Sequence, residues 1–166
     1  GQLTSFSIGM EGLQGPTLVL FWDIVFKKYL VQIALESTAD ICLIVDSQIT
    51  TPSENETTKS DYIYASHPNN KSAFNQKVLL EKIEFTSASK EHQGEWIGMM
   101  KLSKKGTQLF SQYIEEKKQQ FLLNPLDIRD ALNDLCQKNV AIEVHYISGG
   151  WVDVDHVVDL PKVTSI

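Results

Sequence analysis

Runs of hydrophobic residues, and the spacing of those that follow, divide the first third of the chain into three segments. The run PTLVLFW at 16–22 is continuously apolar and rich in β-forming residues, which predicts a buried strand. Residues 24–37 place their apolar side chains at helical spacing, and DICLIVD at 40–46 predicts a second buried strand. A strand, a helix and a strand within about 30 residues predict the βαβ unit of a parallel sheet.

The second half of the chain shows the same change between strand and helix patterns. Residues 77–85 and 95–102 predict two strands that form an antiparallel pair. Helical spacing follows at 103–120 and again at 125–138, where proline stands in the first turn. Residues 140–147 alternate as one more strand. The pattern predicts one α/β domain over residues 1–166, with a mixed, partly parallel sheet flanked by helices.

Between these halves, residues 47–75 change to serine, threonine, asparagine, glutamate and proline. Only Tyr62, Ile63 and Tyr64 inside this stretch have a strand-like pattern. A long polar excursion in a compact domain indicates a flap or a partly mobile loop.

Composition and charge exclude several classes of partner. The chain carries 21 acidic against 15 basic residues, a net charge of -6, and its one arginine is Arg129. Such a surface repels phosphate backbones, so no nucleic acid is expected as a partner. The longest apolar stretch, residues 17–26, is interrupted by Asp23, and no membrane span or secretory leader is evident. We therefore expect a cytoplasmic protein that does not bind membranes.

Three aspartates follow predicted strands. Asp23 ends the first strand, and Asp153 and Asp155 come after the last one. Carboxylates at strand ends of an α/β sheet face the crevice where such sheets bind ligands, and they suit Mg²⁺. The alternative is that Asp155 caps a helix beginning at His156 while Asp153 is merely exposed. Spacing alone leaves both interpretations open.

Three segments of the sequence together resemble a known family. DIVFKKYLVQIALESTADICLIVDS (23–47), GEWIGMMKLSKKG (94–106) and SGGWVDVDHVVDL (148–160) are similar to the later portion of nucleotidyltransferases of the sugar-phosphate and choline-phosphate type. Within that group the similarity is to the cytidylyltransferase-like domains associated with phosphoenolpyruvate mutase in phosphonate metabolism. The resemblance implies an incomplete nucleotidyltransferase fold, which is Rossmann-like.

The resemblance also implies a metal site and a reaction. Asp23 and Asp155 stand where the family has its metal-binding aspartates, and Asp153 stands where an assisting acidic residue is common. The implied activity is Mg²⁺-dependent transfer of a nucleotidyl group, cytidylyl in this subgroup. The donor is a nucleoside triphosphate, the acceptor is a small phosphate or phosphonate, and pyrophosphate is released.

The middle segment is the one that contacts the acceptor in the family. Glu95 and Gly98 fall within it, and the resemblance assigns both to acceptor binding. Lys101 follows directly and is a further substrate-binding candidate, with a solvated position on the strand as the alternative.

The sequence departs from the family in two places. The Gly-rich loop that binds the triphosphate has no counterpart in the 22 residues before Asp23. Trp22 occupies a position that is usually glycine, where an indole is expected to obstruct the site or to turn Asp23 away. The alternative function is therefore a non-catalytic, truncated binding or assembly module. A fold lacking its first units leaves a sheet edge uncovered, which predicts a homodimer.

Overall fold

Five helices and eight strands are defined in the part of the chain that the computed structural model describes, residues 1–49, 59–70, 76–154 and 160–164. None of these helices has the length and apolar character needed to cross a bilayer. In chain order the elements are α1 (Gln2–Met10), β1 (Thr17–Leu20), β2 (Ile24–Phe26), α2 (Lys28–Glu36), β3 (Ile41–Asp46), β4 (Lys59–Ala65), β5 (Leu80–Ser87), β6 (Gly94–Leu102), α3 (Lys104–Gln119), α4 (Ile128–Gln137), β7 (Ile142–Ile147), β8 (Trp151–Asp153) and α5 (Leu160–Val163).

A six-stranded mixed sheet forms the centre of the domain, and a two-stranded sheet of β2 and β8 lies beside it. The main sheet has the order β5-β4-β6-β3-β7, and β1 pairs with the carboxyl half of β6. The pairs that involve β6 are antiparallel, whereas β3 and β7 run parallel. The predicted α/β class with a mixed, partly parallel sheet is therefore confirmed.

The two strands of the predicted βαβ unit are parallel to each other, as expected, but they are not adjacent in the sheet. β1 and β3 run the same way because each is antiparallel to β6, yet β6 lies between them. The helix of this unit is also shorter than predicted, since it begins at Lys28 and residues 24–26 form β2. Isoleucine, valine and phenylalanine favour a strand where a partner is present, and β8 supplies that partner.

The polar stretch at 47–75 contains a full strand of the sheet. β4 lies between β5 and β6, so those two strands do not form the antiparallel pair that the sequence predicts. Residues 50–58 and 71–75 are outside the described residues, and the interpretation of this stretch as a flap stays a prediction. The helix expected from 125 begins at Ile128, because Asp127 caps it and forms a capping box with Asp130.

The sheet is covered on both faces. Every residue of β3 is buried, and the strand supplies Ile41, Leu43 and Val45 to a cluster that includes side chains of α1, α3 and α4. Cys42 and Ile44 point to the opposite face and pack with side chains of α2. A strand buried on both faces explains why DICLIVD is apolar without alternation.

Candidate functional site

A cavity of about 320 Å³ opens at the junction of the two sheets. The end of β1, the pair β2–β8, the first residues of β4, the middle of β6 and the start of α4 contribute to its lining. Its charged lining consists of Asp23, Lys59, Asp61, Glu95, Arg129 and Asp153. The structure therefore brings together four of the residues singled out from the sequence, which are Asp23, Glu95, Gly98 and Asp153.

Asp23 is held at the cavity by backbone bonds on both sides. The Phe21 amide donates to the Gly98 carbonyl oxygen at 3.0 Å, which extends the pairing of β1 with β6. The Asp23 carbonyl accepts from the Val154 amide at 2.9 Å, which ties the residue to the end of β8. Trp22 between them is 94% exposed and does not line this cavity. The expected obstruction by its indole is therefore not observed.

Asp153 is positioned by a bend that Asp46 holds in place. Gly149 and Gly150 precede β8 with φ of 67° and 86°, a backbone region that favours glycine. Asp46 ends β3 in a buried position, and its Oδ2 accepts from the Gly149 amide at 3.1 Å and from the Trp151 indole at 2.8 Å. Its Oδ1 accepts from the Gln48 amide at 2.9 Å.

Asp46 was missed by the sequence analysis. The sequence does contain a signal for it, because Asp46 is the carboxylate at the end of an otherwise apolar strand. A carboxylate buried there requires hydrogen-bond donors. Two of its three donors come from residues about 100 positions further along the chain. The side chain thereby fixes β8 relative to the main sheet.

An irregularity in β6 shapes the floor of the cavity. Ile44 pairs with Met99 and Val45 pairs with Trp96, so Ile97 and Gly98 are extra residues on β6. Gly98 has φ of 75°, and a Cβ atom there would lie 2.7 Å from the Phe21 ring. Glycine is therefore required at this position for both conformation and space.

Glu95 has an environment that disfavours its charge. Burial raises the pKa of Glu95, a hydrogen bond with Ser60 lowers it, and the negative charges of Asp46 and Asp153 raise it again, with a net upward shift. A carboxyl group with a raised pKa in a cavity is a frequent property of functional sites.

Arg129 forms the cationic wall of the cavity. Its Nη1 donates to Asp61 Oδ1 at 2.5 Å, its Nε donates to Asp127 Oδ2 at 3.0 Å, and its guanidinium lies 4.8 Å from the centre of the Phe85 ring. Burial raises the pKa of Asp61, an effect that the hydrogen bond from Arg129 opposes. The only arginine of the chain is thus engaged by two carboxylates.

One residue predicted for the site lies away from this cavity, and another is outside the described residues. Lys101 is buried, and its ammonium group donates to the Ser37 and Ala39 carbonyl oxygens at 2.7 and 3.0 Å. It does not line the cavity, and it supports the turn between α2 and β3. Asp155 lies outside the described residues, so its convergence with Asp23 stays a prediction.

The donor set of the cavity is compatible with a hard divalent cation. Asp23 and Asp153 line the cavity directly before β2 and at the end of β8, and Glu95 lines the same space. Within residues 1–49, 59–70, 76–154 and 160–164, no three acidic, histidine or cysteine side chains form a complete metal cluster. Mg²⁺ needs only one or two protein carboxylates, because water and substrate phosphates complete its shell.

The fold is shared with solved nucleotidyltransferases. CTP:phosphocholine cytidylyltransferase from Streptococcus pneumoniae matches with a TM-score of 0.67 at 13% identity, over 99% of this chain and 63% of that chain. Inositol-1-phosphate CTP transferase from T. maritima gives 0.66 at 13%, over 99% and 61%. UDP-glucose pyrophosphorylase from Acinetobacter baumanii gives 0.66 at 14%, over 98% and 54%. The nucleotidyltransferase-like fold inferred from the three sequence segments is therefore confirmed.

The chain spans between 54% and 63% of the length of these three proteins. No family model matches the sequence, and no curated protein matches it. The property that this chain shares with these proteins is thus a fold.

Proposed function

We propose that this domain takes part in Mg²⁺-dependent nucleotidyl transfer, with CTP as the donor and a small phosphate or phosphonate as the acceptor. The observation that carries the proposal is that Asp23, directly before β2, and Asp153, the last residue of β8, line one cavity, and that β2 and β8 pair with each other. The nucleotidyltransferase-like fold and the three sequence segments support the choice of reaction. The resemblance to phosphoenolpyruvate mutase-associated domains supports a phosphonate as one acceptor.

In the proposed reaction an oxygen of the acceptor phosphate or phosphonate attacks the α-phosphorus of the triphosphate. A new P–O bond forms, the bond from the α-phosphorus to the bridging oxygen breaks, and pyrophosphate leaves with the electron pair. Bound Mg²⁺ would neutralise charge that develops on the phosphate oxygens. Asp23 and Asp153 would hold the ion, and no protein nucleophile is required.

The organic portion of the acceptor would occupy the part of the cavity formed by β6. Glu95 and Gly98 line this part, together with the aromatic side chains of Phe21 and Trp96. Because Gly98 has no side chain, the Phe21 ring packs directly against it and lines the cavity at this point. These groups orient the acceptor and exclude water from one side of it.

The charge of the cavity limits what the described residues bind directly. Four carboxylates line it against Lys59 and Arg129, and Arg129 is already paired with Asp61 and Asp127. Such a cavity attracts a cation and repels a free triphosphate. We infer that the nucleotide is held through the metal ion and through groups other than those lining this cavity.

Cation binding and catalysis are tested separately. Titration calorimetry with Mg²⁺ is expected to show binding that falls at least on the order of tenfold in Asp153→Asn. Glu36→Gln, which changes an exposed carboxylate at the end of α2, is the matched control and should bind as the wild type does.

Pyrophosphate release is then measured with CTP, Mg²⁺ and either phosphocholine or a small alkylphosphonate.

The outcomes separate the two candidate functions. Pyrophosphate release that depends on Asp23 and Asp153 supports nucleotidyl transfer. Cation binding without pyrophosphate release favours the alternative, a non-catalytic binding or assembly module, which the acidic charge of the cavity also favours. Absence of Mg²⁺ binding in the wild type, or equal binding in Asp153→Asn, contradicts the proposed metal site.

A further inference from the structure

The ring of Phe21 forms one wall of the cavity at the junction of the two sheets. It lies directly against Gly98, because a Cβ atom at position 98 would be 2.7 Å from Cδ2 and 2.8 Å from Cγ of the ring. Both residues line the cavity, together with Glu95 and Trp96. The Phe21 side chain therefore occupies space that a side chain at position 98 would otherwise take.

The backbone and the neighbours of Phe21 hold this ring in place. The Phe21 amide donates to the Gly98 carbonyl oxygen at 3.0 Å. The ring meets the Trp96 indole edge to face, with the ring centres 5.0 Å apart and the planes at 67°. Trp96 is only 3% exposed, and its indole N–H donates to the Met99 carbonyl oxygen at 3.0 Å. A ring packed against a backbone and a buried indole forms a firm wall.

The wall stands close in the chain to the carboxylate proposed for the metal ion. Asp23 follows Phe21 by two residues, and both line the same cavity of about 320 Å³. A phosphonate held through an ion at Asp23 and Asp153 has to place its organic portion within this volume. Closely packed apolar walls discriminate between ligands by size, because a group that is too large forces its surroundings apart.

We propose that Phe21 sets the upper size limit of the acceptor, as a specificity-determining residue of the cavity. This inference rests on the proposed function, since it takes the part of the cavity formed by β6 as the acceptor site. Organic chains that fit gain contact with the rings of Phe21 and Trp96, and longer chains are excluded by Phe21. A smaller side chain at position 21 would admit longer acceptors.

A series of n-alkylphosphonates, from methylphosphonate to octylphosphonate, tests the size limit in the presence of Mg²⁺. Binding is followed by nuclear magnetic resonance of the indole N–H groups of Trp96 and Trp151, which line the cavity, with Trp22, which does not, as the internal reference. In the wild type the dissociation constant should fall about fourfold with each added methylene that the cavity accommodates. It should then rise by at least on the order of tenfold when the chain is too long for the space in front of Phe21.

Substitutions at position 21 should move this optimum. Phe21→Leu and Phe21→Ala are expected to favour longer chains, with the larger shift in Phe21→Ala, because each leaves more space beside Trp96. Phe110→Leu is the matched control, since Phe110 is fully buried and does not line the cavity, and it should keep the optimum of the wild type.

The optimum chain length is compared instead of the absolute affinity, because a loss of stability weakens the binding of every chain length alike. Titration with Mg²⁺ alone shows whether Asp23 has been displaced. Circular dichroism checks that each variant is folded, and Phe21→Leu, the milder change, decides the question if Phe21→Ala does not fold.

Affinity that rises steadily with chain length in the wild type overturns the proposal, and so does one optimum shared by the wild type and the Phe21 variants. An equal shift of the optimum in Phe110→Leu contradicts it as well, as does a series in which no member moves the Trp96 and Trp151 resonances. If the optimum shifts as expected but CTP yields no pyrophosphate, the size limit stands and the proposed function fails. Pyrophosphate release with an unchanged optimum gives the reverse result.

Discussion

At the scale of one residue, the buried carboxyl group of Glu95 lowers the stability of the folded domain when it is ionised. Its pKa lies above the ordinary value of 4.5, with burial as the largest cause. The folded state therefore binds this proton more tightly than the unfolded state does. The contribution of Glu95 to stability is present below pH 4.5 and is lost as the pH rises through the raised pKa of the folded state.

Glu95→Gln is accordingly expected to raise the melting temperature at pH 7, by a few degrees. The amide stays uncharged, so it avoids the cost of a buried carboxylate beside Asp46 and Asp153. The difference from the wild type should disappear below pH 4, where Glu95 itself is protonated. Thermal unfolding at several pH values measures this, and a difference that does not depend on pH contradicts it.

The requirement for glycine at position 98 can be tested by a single substitution. Gly98→Ala is expected to destabilise the fold by about 1–3 kcal/mol, because the conformation is left-handed and the added Cβ meets Phe21. Gly15→Ala is the control, since nothing lies within 4 Å of its Cβ position, and it should be neutral or stabilise by up to about 1 kcal/mol. Urea denaturation compares the two, and equal effects contradict the role given to Gly98.

The sequence identified much of the cavity at the residue scale. Asp23 and Asp153 were found because carboxylates follow strand ends, and Glu95 and Gly98 were found through the family resemblance. Asp46 was missed because its function depends on donors that only the folded chain brings near it. The position of Lys101 was not predictable, because the sequence does not show that its ammonium group is buried and bonded to two carbonyl oxygens.

At the scale of elements, the placement of β8 decides the geometry of the site. β8 has three residues and pairs only with the equally short β2 among the described strands, so these bonds alone hold it weakly. Asp46 adds two bonds between the end of β3 and the segment that begins β8. The orientation of Asp153 therefore depends on a carboxylate that is not itself part of the cavity lining.

Asp46→Asn is expected to destabilise the domain by about 1–3 kcal/mol, because an amide group replaces an acceptor that faces backbone and indole donors. The same change at the other end of β3, Asp40→Asn, is the control. Asp40 is partly exposed and pairs with Lys105, so its loss should cost less than about 1 kcal/mol. Chemical denaturation measures both, and the indole N–H resonance of Trp151 should move only in Asp46→Asn.

Most helices and strands were predictable from local sequence pattern, but the order of the strands in the sheet was not. The strands at 17–20, 41–46 and 142–147 and the helix at 104–119 follow from hydrophobic runs and spacing. The pairing order depends on contacts between distant segments, such as β4 between β5 and β6, which periodicity does not encode. Residues 24–26 fit the helical spacing of the segment that follows as well as they fit a strand, so local pattern does not separate β2 from α2.

At the scale of the whole molecule, β3 joins two hydrophobic clusters that cover opposite faces of the sheet. Its alternate residues belong to one cluster or the other, so the strand gives packing contacts to both. We therefore expect the domain to unfold in one cooperative transition.

Leu43→Ala and Ile44→Ala test this, since these neighbours point to opposite faces. Each is expected to cost about 2–5 kcal/mol, because both side chains are fully buried. Far-ultraviolet circular dichroism and tryptophan fluorescence should report the same unfolding midpoint in each variant. Separate midpoints for the two signals would show that the clusters unfold independently.

Arg129 has a practical consequence because it is the only arginine in the chain and it borders the cavity. An arginine-selective dicarbonyl reagent can modify a single position, so the mass gained reports directly on access to this wall. Its carboxylate partners and the Phe85 ring shield the guanidinium. Slowing of the labelling by an added compound would provide a simple screen for occupants of the cavity, without any assumption about turnover.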